Sequence, residues 1–168
     1  MSAIPLSPLD FSITKEVCTV KKYVALLLAS LLLFAAIPAL AQEVSCPAGG
    51  FTLTLPDSFS AVSPLPQDQD LVFAWQGGGI SVQGYATAMS GKVRFNDLYQ
   101  ILTGQETESG SLTIRGVDML YARGSDQRGP YSLYIWMHKN VRVELYFYYQ
   151  SRSDLLDIDE MIHSLVLN

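Results

Sequence analysis

Hydrophobic and polar positions alternate over most of the chain after residue 50. Side chains that alternate with period two occupy opposite faces of a β-strand, and turn-forming residues separate one such run from the next. Three adjacent glycines, Gly77 to Gly79, predict a hairpin turn between two of the runs. The pattern predicts seven strands, at residues 51–55, 71–75, 80–86, 112–114, 119–122, 131–138 and 141–149.

Two segments instead carry apolar residues at helical spacing. Asn96 is predicted to cap a short helix that carries Leu98, Ile101 and Leu102 and stops at Gly104. Ser151 or Ser153 is predicted to cap a longer final helix, whose apolar face is Leu155, Ile158, Met161, Ile162, Leu165 and Val166. Together the elements predict an α+β fold, in which a mostly antiparallel sheet of about six to seven strands is flanked by two main helices.

The last two predicted strands can pair in two registers. A two-residue loop would place Met137 opposite Arg142, whereas a three-residue loop over 138–140 places it opposite Val141. The second register brings the apolar faces of both strands together, so we predict it, with Asn140 in the positive-φ position.

That register predicts a second face that is both aromatic and polar. Aromatic residues and Arg dominate binding hot spots, so we predict a partner-binding surface here. Its residues are Tyr134, Trp136, Arg142, Glu144 and Tyr146. The alternative is that the first helix covers part of this face.

An apolar segment precedes the alternating region. Lys21 and Lys22 are followed by apolar residues 23–36, by Pro38 and by a small-residue site that ends at Ala41. This order predicts a signal peptide over 21–41, cleaved between Ala41 and Gln42, and hence a secreted or extracytoplasmic protein of the cell envelope or periplasm. The apolar run is short for a membrane span of roughly 20 residues, and an uncleaved signal-anchor in the membrane is the alternative.

Residues 1–20 form a doubtful extension, because a signal normally begins with its positive charge and translation is predicted to start near Val20. Residues 42–168 suit a single domain with one core. They carry 8 Lys and Arg against 14 Asp and Glu, which argues against nucleic acid or anionic lipid as the main partner. Cys46 is their one cysteine, predicted to be a tolerated thiol; lipid attachment and an intermolecular disulfide are the alternatives.

The titratable residues form no recognisable catalytic motif. His138 and His163 are predicted to be solvated surface residues, and the pair Glu160 and His163 supplies too few ligands for a metal site. The sequence therefore predicts no catalytic residue, no metal site and no cofactor.

Five features of the sequence resemble the PsbP-like α/β/α sandwich family. They are the segment from Phe51 to Phe59, the run from Asp70 to Trp75, the central helix, the strand pair around Gly116 and the closing helix. That family includes photosystem extrinsic subunits, Ran-binding release factors and exported bacterial proteins, and it shares no catalytic residues. The resemblance implies an exported, non-enzymatic binding or assembly domain, with a protein or envelope component as its partner. A small-ligand carrier or hydrolytic enzyme, with a pocket between the sheet and the Pro-rich loop 63–70, is the alternative.

Overall fold

The computed structural model describes residues 41–65, 67 and 70–168. The predictions made for residues 1–40, including most of the signal segment, lie outside the described residues. Within the described part of the chain, no helix has both the length and the apolar character needed to cross a membrane.

Ten strands and two helices are described. The strands are β1 (Ala41–Cys46), β2 (Phe51–Pro56), β3 (Ser60–Ala61), β4 (Leu71–Gly77), β5 (Ile80–Ala88), β6 (Glu108–Ile114), β7 (Val117–Asp126), β8 (Gly129–His138), β9 (Val141–Tyr148) and β10 (Val166–Leu167). The helices are a 3₁₀-helix, η1 (Phe95–Ile101), and an α-helix, α1 (Asp154–His163). All seven predicted strands and both predicted helices are confirmed as elements, but η1 begins after Arg94 rather than Asn96.

The strands form two antiparallel sheets rather than one. The large sheet has the order β3-β4-β5-β9-β8-β7-β6, and a small sheet has the order β1-β2-β10. Strand β1, which the sequence did not predict, pairs with β2 along its whole length. The Gln42 side chain also donates a hydrogen bond of 2.8 Å to the Phe59 carbonyl, so this segment is fixed to the loop that follows β2.

Other elements pack against both faces of the large sheet. We call the face that packs against α1 and the small sheet the inner face, and the face that packs against η1 the outer face. The core at the inner face joins Phe51 and Leu53 of β2 to Trp136, Val143 and Ile158. At the outer face, Leu98 of η1 lies with Leu120, Leu133 and Ile135. This arrangement is an α+β sandwich with a mostly antiparallel central sheet.

The predicted register of the β8–β9 hairpin is wrong. His138 pairs with Val141 and Met137 with Arg142, so the loop has two residues, and Lys139 rather than Asn140 takes the positive φ. The prediction assumed that only one face of the hairpin is buried. Because both faces are covered, apolar residues occupy both, and the one-residue shift costs no apolar burial.

Candidate functional site

The structure separates the five residues predicted to share one binding face. Tyr134 and Trp136 lie on the inner face, and Trp136 is 0% exposed, with its ring 5.4 Å from that of Phe51. Tyr134 packs edge-on against Phe147, with the ring centroids 5.8 Å apart. The two residues are therefore core residues, and the prediction of a single shared face is wrong because it depended on the three-residue loop.

Arg142, Glu144 and Tyr146 lie on the outer face. Arg142 Nη2 is 2.8 Å from Glu144 Oε1, and the two side chains are 24% and 12% exposed. Arg142 also lines a depression beside Leu98 and Ile101 of η1. The helix packs against β7 and β8. The helix therefore covers the β7–β8 half of the outer face, which carries none of the five predicted residues.

The part of the outer face over β5 and β9 carries a cluster of tyrosines. Gln83 pairs with Tyr146 across the two strands, and Ser81 pairs with Tyr148. Tyr146 and Tyr148, two residues apart on one strand, stack with their rings 5.9 Å apart and nearly parallel. Tyr85 meets Tyr146 edge-on at 5.8 Å. Offset and edge-on aromatic pairs of this kind stabilise a fixed arrangement of the rings.

Arg128, from the turn between β7 and β8, lies over this cluster. Its guanidinium carbon is 4.3 Å from the centroid of the Tyr148 ring, which is cation–π distance. The guanidinium donates to Asp126 at 3.0 Å and to Gln83 at 2.8 Å, while the Tyr148 hydroxyl donates to Asp126 at 3.0 Å. Half of the Arg128 side chain remains exposed. We call Gln83, Tyr85, Arg128, Tyr146 and Tyr148 the tyrosine–arginine surface.

The charges of this surface are stable near neutral pH. Burial opposes ionisation of Asp126, but the backbone and guanidinium hydrogen bonds of Arg128 lower the pKa of that carboxyl. Burial raises the pKa of the Tyr146 and Tyr148 hydroxyls well above the usual range. The pair Asp126–Arg128 is therefore ionised, and Tyr146 and Tyr148 are neutral, so the surface presents aromatic rings beside an ion pair.

Alkaline pH is expected to unfold the domain as the buried tyrosines ionise. Burial raises the pKa of Tyr134 to about 12, and this stabilisation is complete below the unfolded pKa of about 10. Stability should therefore fall as the pH rises from about 10 to 12. Tyrosinate absorbance and circular dichroism, recorded together, check this, and Tyr134→Phe should reduce the loss. Ionisation of all tyrosines near pH 10 with the fold intact would contradict it.

A shallow depression adjoins the tyrosine–arginine surface. Its volume is about 500 Å³, and its lining includes Ser81, Arg128, Tyr148, Tyr149 and Gln150. The Pro-rich loop 63–70, predicted to border a pocket in the alternative hypothesis, is exposed at every described position. The described residues of that loop therefore give the carrier or enzyme hypothesis no support.

The remaining chemistry-bearing side chains lie apart from this surface. His163 is exposed, and its Nδ1 is 2.6 Å from the Asp159 carbonyl oxygen. His138 is half-buried against Gly50 with its Nε2 unpartnered, so its prediction as a solvated residue is wrong. Burial of Cys46 raises the pKa of its thiol. Among the described residues, no three His, Cys, Asp or Glu side chains form a group that would hold a metal ion.

Sequence reasoning missed Gln83, Tyr85 and Arg128. Arg128 lies in a polar turn, and nothing in the local pattern indicates that it reaches β9. The sequence feature that could have indicated the position of Arg128 is Asp126, two residues before it. The Asp126 carboxylate accepts a hydrogen bond of 2.8 Å from the Arg128 backbone N–H, and this bond fixes the turn.

Comparison with known proteins identifies the fold. No family model matches the chain, and no curated protein matches it. The solution structure of cyanobacterial PsbP (CyanoP) from Synechocystis sp. PCC 6803 matches with a TM-score of 0.59, over 79% of this chain and 95% of that one. The domain has a PsbP-like fold. The sequence identity is 9%, so the likeness concerns the fold alone.

Two further solved structures are similar to this domain. A protein from Bacteroides thetaiotaomicron VPI-5482 matches with a TM-score of 0.53 and 14% identity, over 76% of this chain and 48% of that one. A point mutant of the protein Mog1 matches with a TM-score of 0.46 and 11% identity, over 76% and 96% of the two chains. The resemblance to the PsbP-like fold predicted from the sequence is confirmed.

Proposed function

We propose that residues 42–168 act outside the cytoplasm as a non-enzymatic domain that binds a protein or another component of the cell envelope. The tyrosine–arginine surface makes the contact. The signal segment predicted over 21–41 supports the location. The observation that carries the proposal is an exposed arginine fixed over stacked tyrosines on the part of the outer face beyond η1.

This surface combines the residue types and the rigidity that tight contacts need. Tyr and Arg are enriched among the residues that dominate binding energy. Arg128 is held by Asp126 and Gln83 before any partner arrives, so little side-chain entropy is lost on binding. The Tyr85 and Tyr146 rings are half-buried, each fixed by the other.

The surroundings of this surface favour binding over catalysis. Across the described residues, no hydrogen bond joins a serine hydroxyl or the Cys46 thiol to either histidine, and nucleophilic catalysis depends on such a pair. The depression beside Arg128 is open, whereas an enzyme pocket usually encloses most of its substrate.

The double variant Tyr85→Ala with Arg128→Ala tests the proposal. Immobilised protein is used to capture components from a cell-envelope extract of the source organism, which are quantified by mass spectrometry. A hot-spot pair contributes about 2 kcal/mol or more, so capture of the specific partner should fall by roughly thirty-fold.

The matched control is Arg152→Ala with Leu156→Ala, which removes an exposed arginine and an exposed apolar side chain near the start of α1. Circular dichroism establishes that both double variants are folded. Equal capture by the wild-type protein and the Tyr85/Arg128 variant would overturn the proposed site.

A further inference from the structure

Strand β6 is an open edge of the large sheet. It spans seven residues and pairs only with β7 among the described strands. Ile114 and Val117 close the hairpin around Arg115 and Gly116, which both have positive φ. The closing pair of such a two-residue turn is hydrogen-bonded, and alternate pairs follow the same pattern. Three residues therefore direct their backbone N–H and C=O groups outward: Ser109, Ser111 and Thr113.

Nothing within β6 blocks the approach of another strand. Natural edge strands are commonly protected by Lys, Pro, a bulge or a very short length. Strand β6 contains neither Lys nor Pro, and its register with β7 is unbroken. At the opposite edge of the same sheet, β3 has only two residues. The three outward residues of β6 are exposed and carry short side chains, so a second backbone can come within hydrogen-bonding distance.

The sequence of β6 is self-complementary when two copies run antiparallel. A two-fold axis at Ser111 would place Ser109 of one copy opposite Thr113 of the other. It would also place Glu108 next to Arg115 of the second copy, because Glu108 then lies opposite Ile114. The two Glu108 side chains would be about 20 Å apart, at roughly 3.4 Å per residue. The register thus places opposite charges near each other and separates like ones, while Glu108 keeps its ion pair with Arg123 of its own chain.

We propose that β6 pairs antiparallel with β6 of a second copy of this chain, with Ser111 on the two-fold axis. The three hydrogen-bonded residue pairs supply about six backbone hydrogen bonds across the axis. An interface of this kind is closed, since the same strand is used by both copies. Strands β7 and β8 separate β6 from β9 in the sheet, so the dimer leaves the tyrosine–arginine surface free.

The test uses the exported protein as recovered from cells. Sedimentation velocity over a concentration series should show a monomer that converts to a dimer. Ser111→Pro removes an outward N–H but no hydrogen bond to β7, and it should leave only monomer; Ser111→Ala should still dimerise.

Cysteine cross-linking fixes the register and stays informative if Ser111→Pro fails to fold. Ser111→Cys should form an intermolecular disulfide under mild oxidation, because opposed residues of a hydrogen-bonded pair have Cα atoms about 5.5 Å apart. Thr113→Cys should not, since two copies of that residue would lie roughly 14 Å apart. The native Cys46 is 1% exposed and stays out of the reaction.

A monomer at every concentration would overturn the proposal. So would a dimer in which the Ser111→Cys and Thr113→Cys variants cross-link equally, or a disulfide from position 111 to a different protein rather than to a second copy.

Discussion

Trp136→Ala is expected to lower the free energy of unfolding by about 3–5 kcal/mol, as is usual for a large aromatic side chain removed from a core. Trp136 is 0% exposed on the inner face and packs edge-on against Phe51 of the small sheet. Its loss therefore leaves a cavity between the two sheets. Chemical denaturation monitored by circular dichroism measures the change, and Trp136→Phe should cost less because it keeps a ring in place.

This result distinguishes the two registers of the β8–β9 hairpin. A three-residue loop would place Trp136 on the same face as Arg142, whereas the two-residue loop places it opposite Val143 in the core. Leu156→Ala serves as the control, since Leu156 is 72% exposed and its truncation should change stability little. If Trp136→Ala cost no more than Leu156→Ala, the observed register would be contradicted.

Arg142→Ala is expected to lower the free energy of unfolding by about 2 kcal/mol. The cost lies between the roughly 3–5 kcal/mol of a fully buried ion pair and the roughly 1 kcal/mol or less of an exposed one. Glu144, only 12% exposed, would lose the partner that lies 2.8 Å away. The loss is measured by the same denaturation experiment at low and high salt, and it should change little with salt.

Arg123→Ala is the matched control for that ion pair. Arg123 pairs with Glu108 of the neighbouring strand at 3.1 Å, whereas Arg142 and Glu144 share one strand, and Glu108 is 48% exposed. Its removal should cost less than about 1 kcal/mol. The double variant Arg142→Ala with Glu144→Ala should cost less than the sum of its single variants, because no unpaired carboxylate remains. Equal costs for Arg142→Ala and Arg123→Ala would contradict the buried role of the first pair.

Local patterns in the sequence predicted most of the fold. The seven predicted strands are present, and the final helix begins at Asp154, directly after Ser153, one of the two predicted caps, although the Ser153 side chain makes no capping hydrogen bond. Gly78 and Gly79 both take positive φ in the turn between β4 and β5, as the glycine run indicated. These features depend on neighbouring residues alone, so a single sequence contains the information that determines them.

The features that sequence reasoning missed depend on tertiary packing. The register of β8 and β9 cannot be derived from one apolar face when both faces are covered. Strand β1 has only Val44 and Cys46 as buried positions, too few for its alternation to predict a strand. Arg128 joins the tyrosine cluster because the β7–β8 turn lies beside β9, a proximity that only the sheet order shows.

The dependence of strand register on tertiary packing explains why the predicted binding face was only partly correct. Of the five predicted residues, Arg142, Glu144 and Tyr146 lie on the outer face, and Tyr134 and Trp136 lie in the core. The one-residue shift of register moved one strand's aromatic residues to the opposite face. The sequence pattern shows that aromatic side chains are frequent in these two strands, which also contain Arg142, but not which of them are accessible.

Site-specific photo-cross-linking in living cells tests the proposed binding surface most directly. A photoreactive phenylalanine derivative replaces Tyr85 in one variant and Leu156, which is exposed on α1, in another. The proposed function predicts that irradiation at position 85 yields a discrete adduct with one envelope component, that Arg128→Ala abolishes this adduct, and that position 156 does not form it. The same adduct from both positions, or none from position 85, would contradict the proposal.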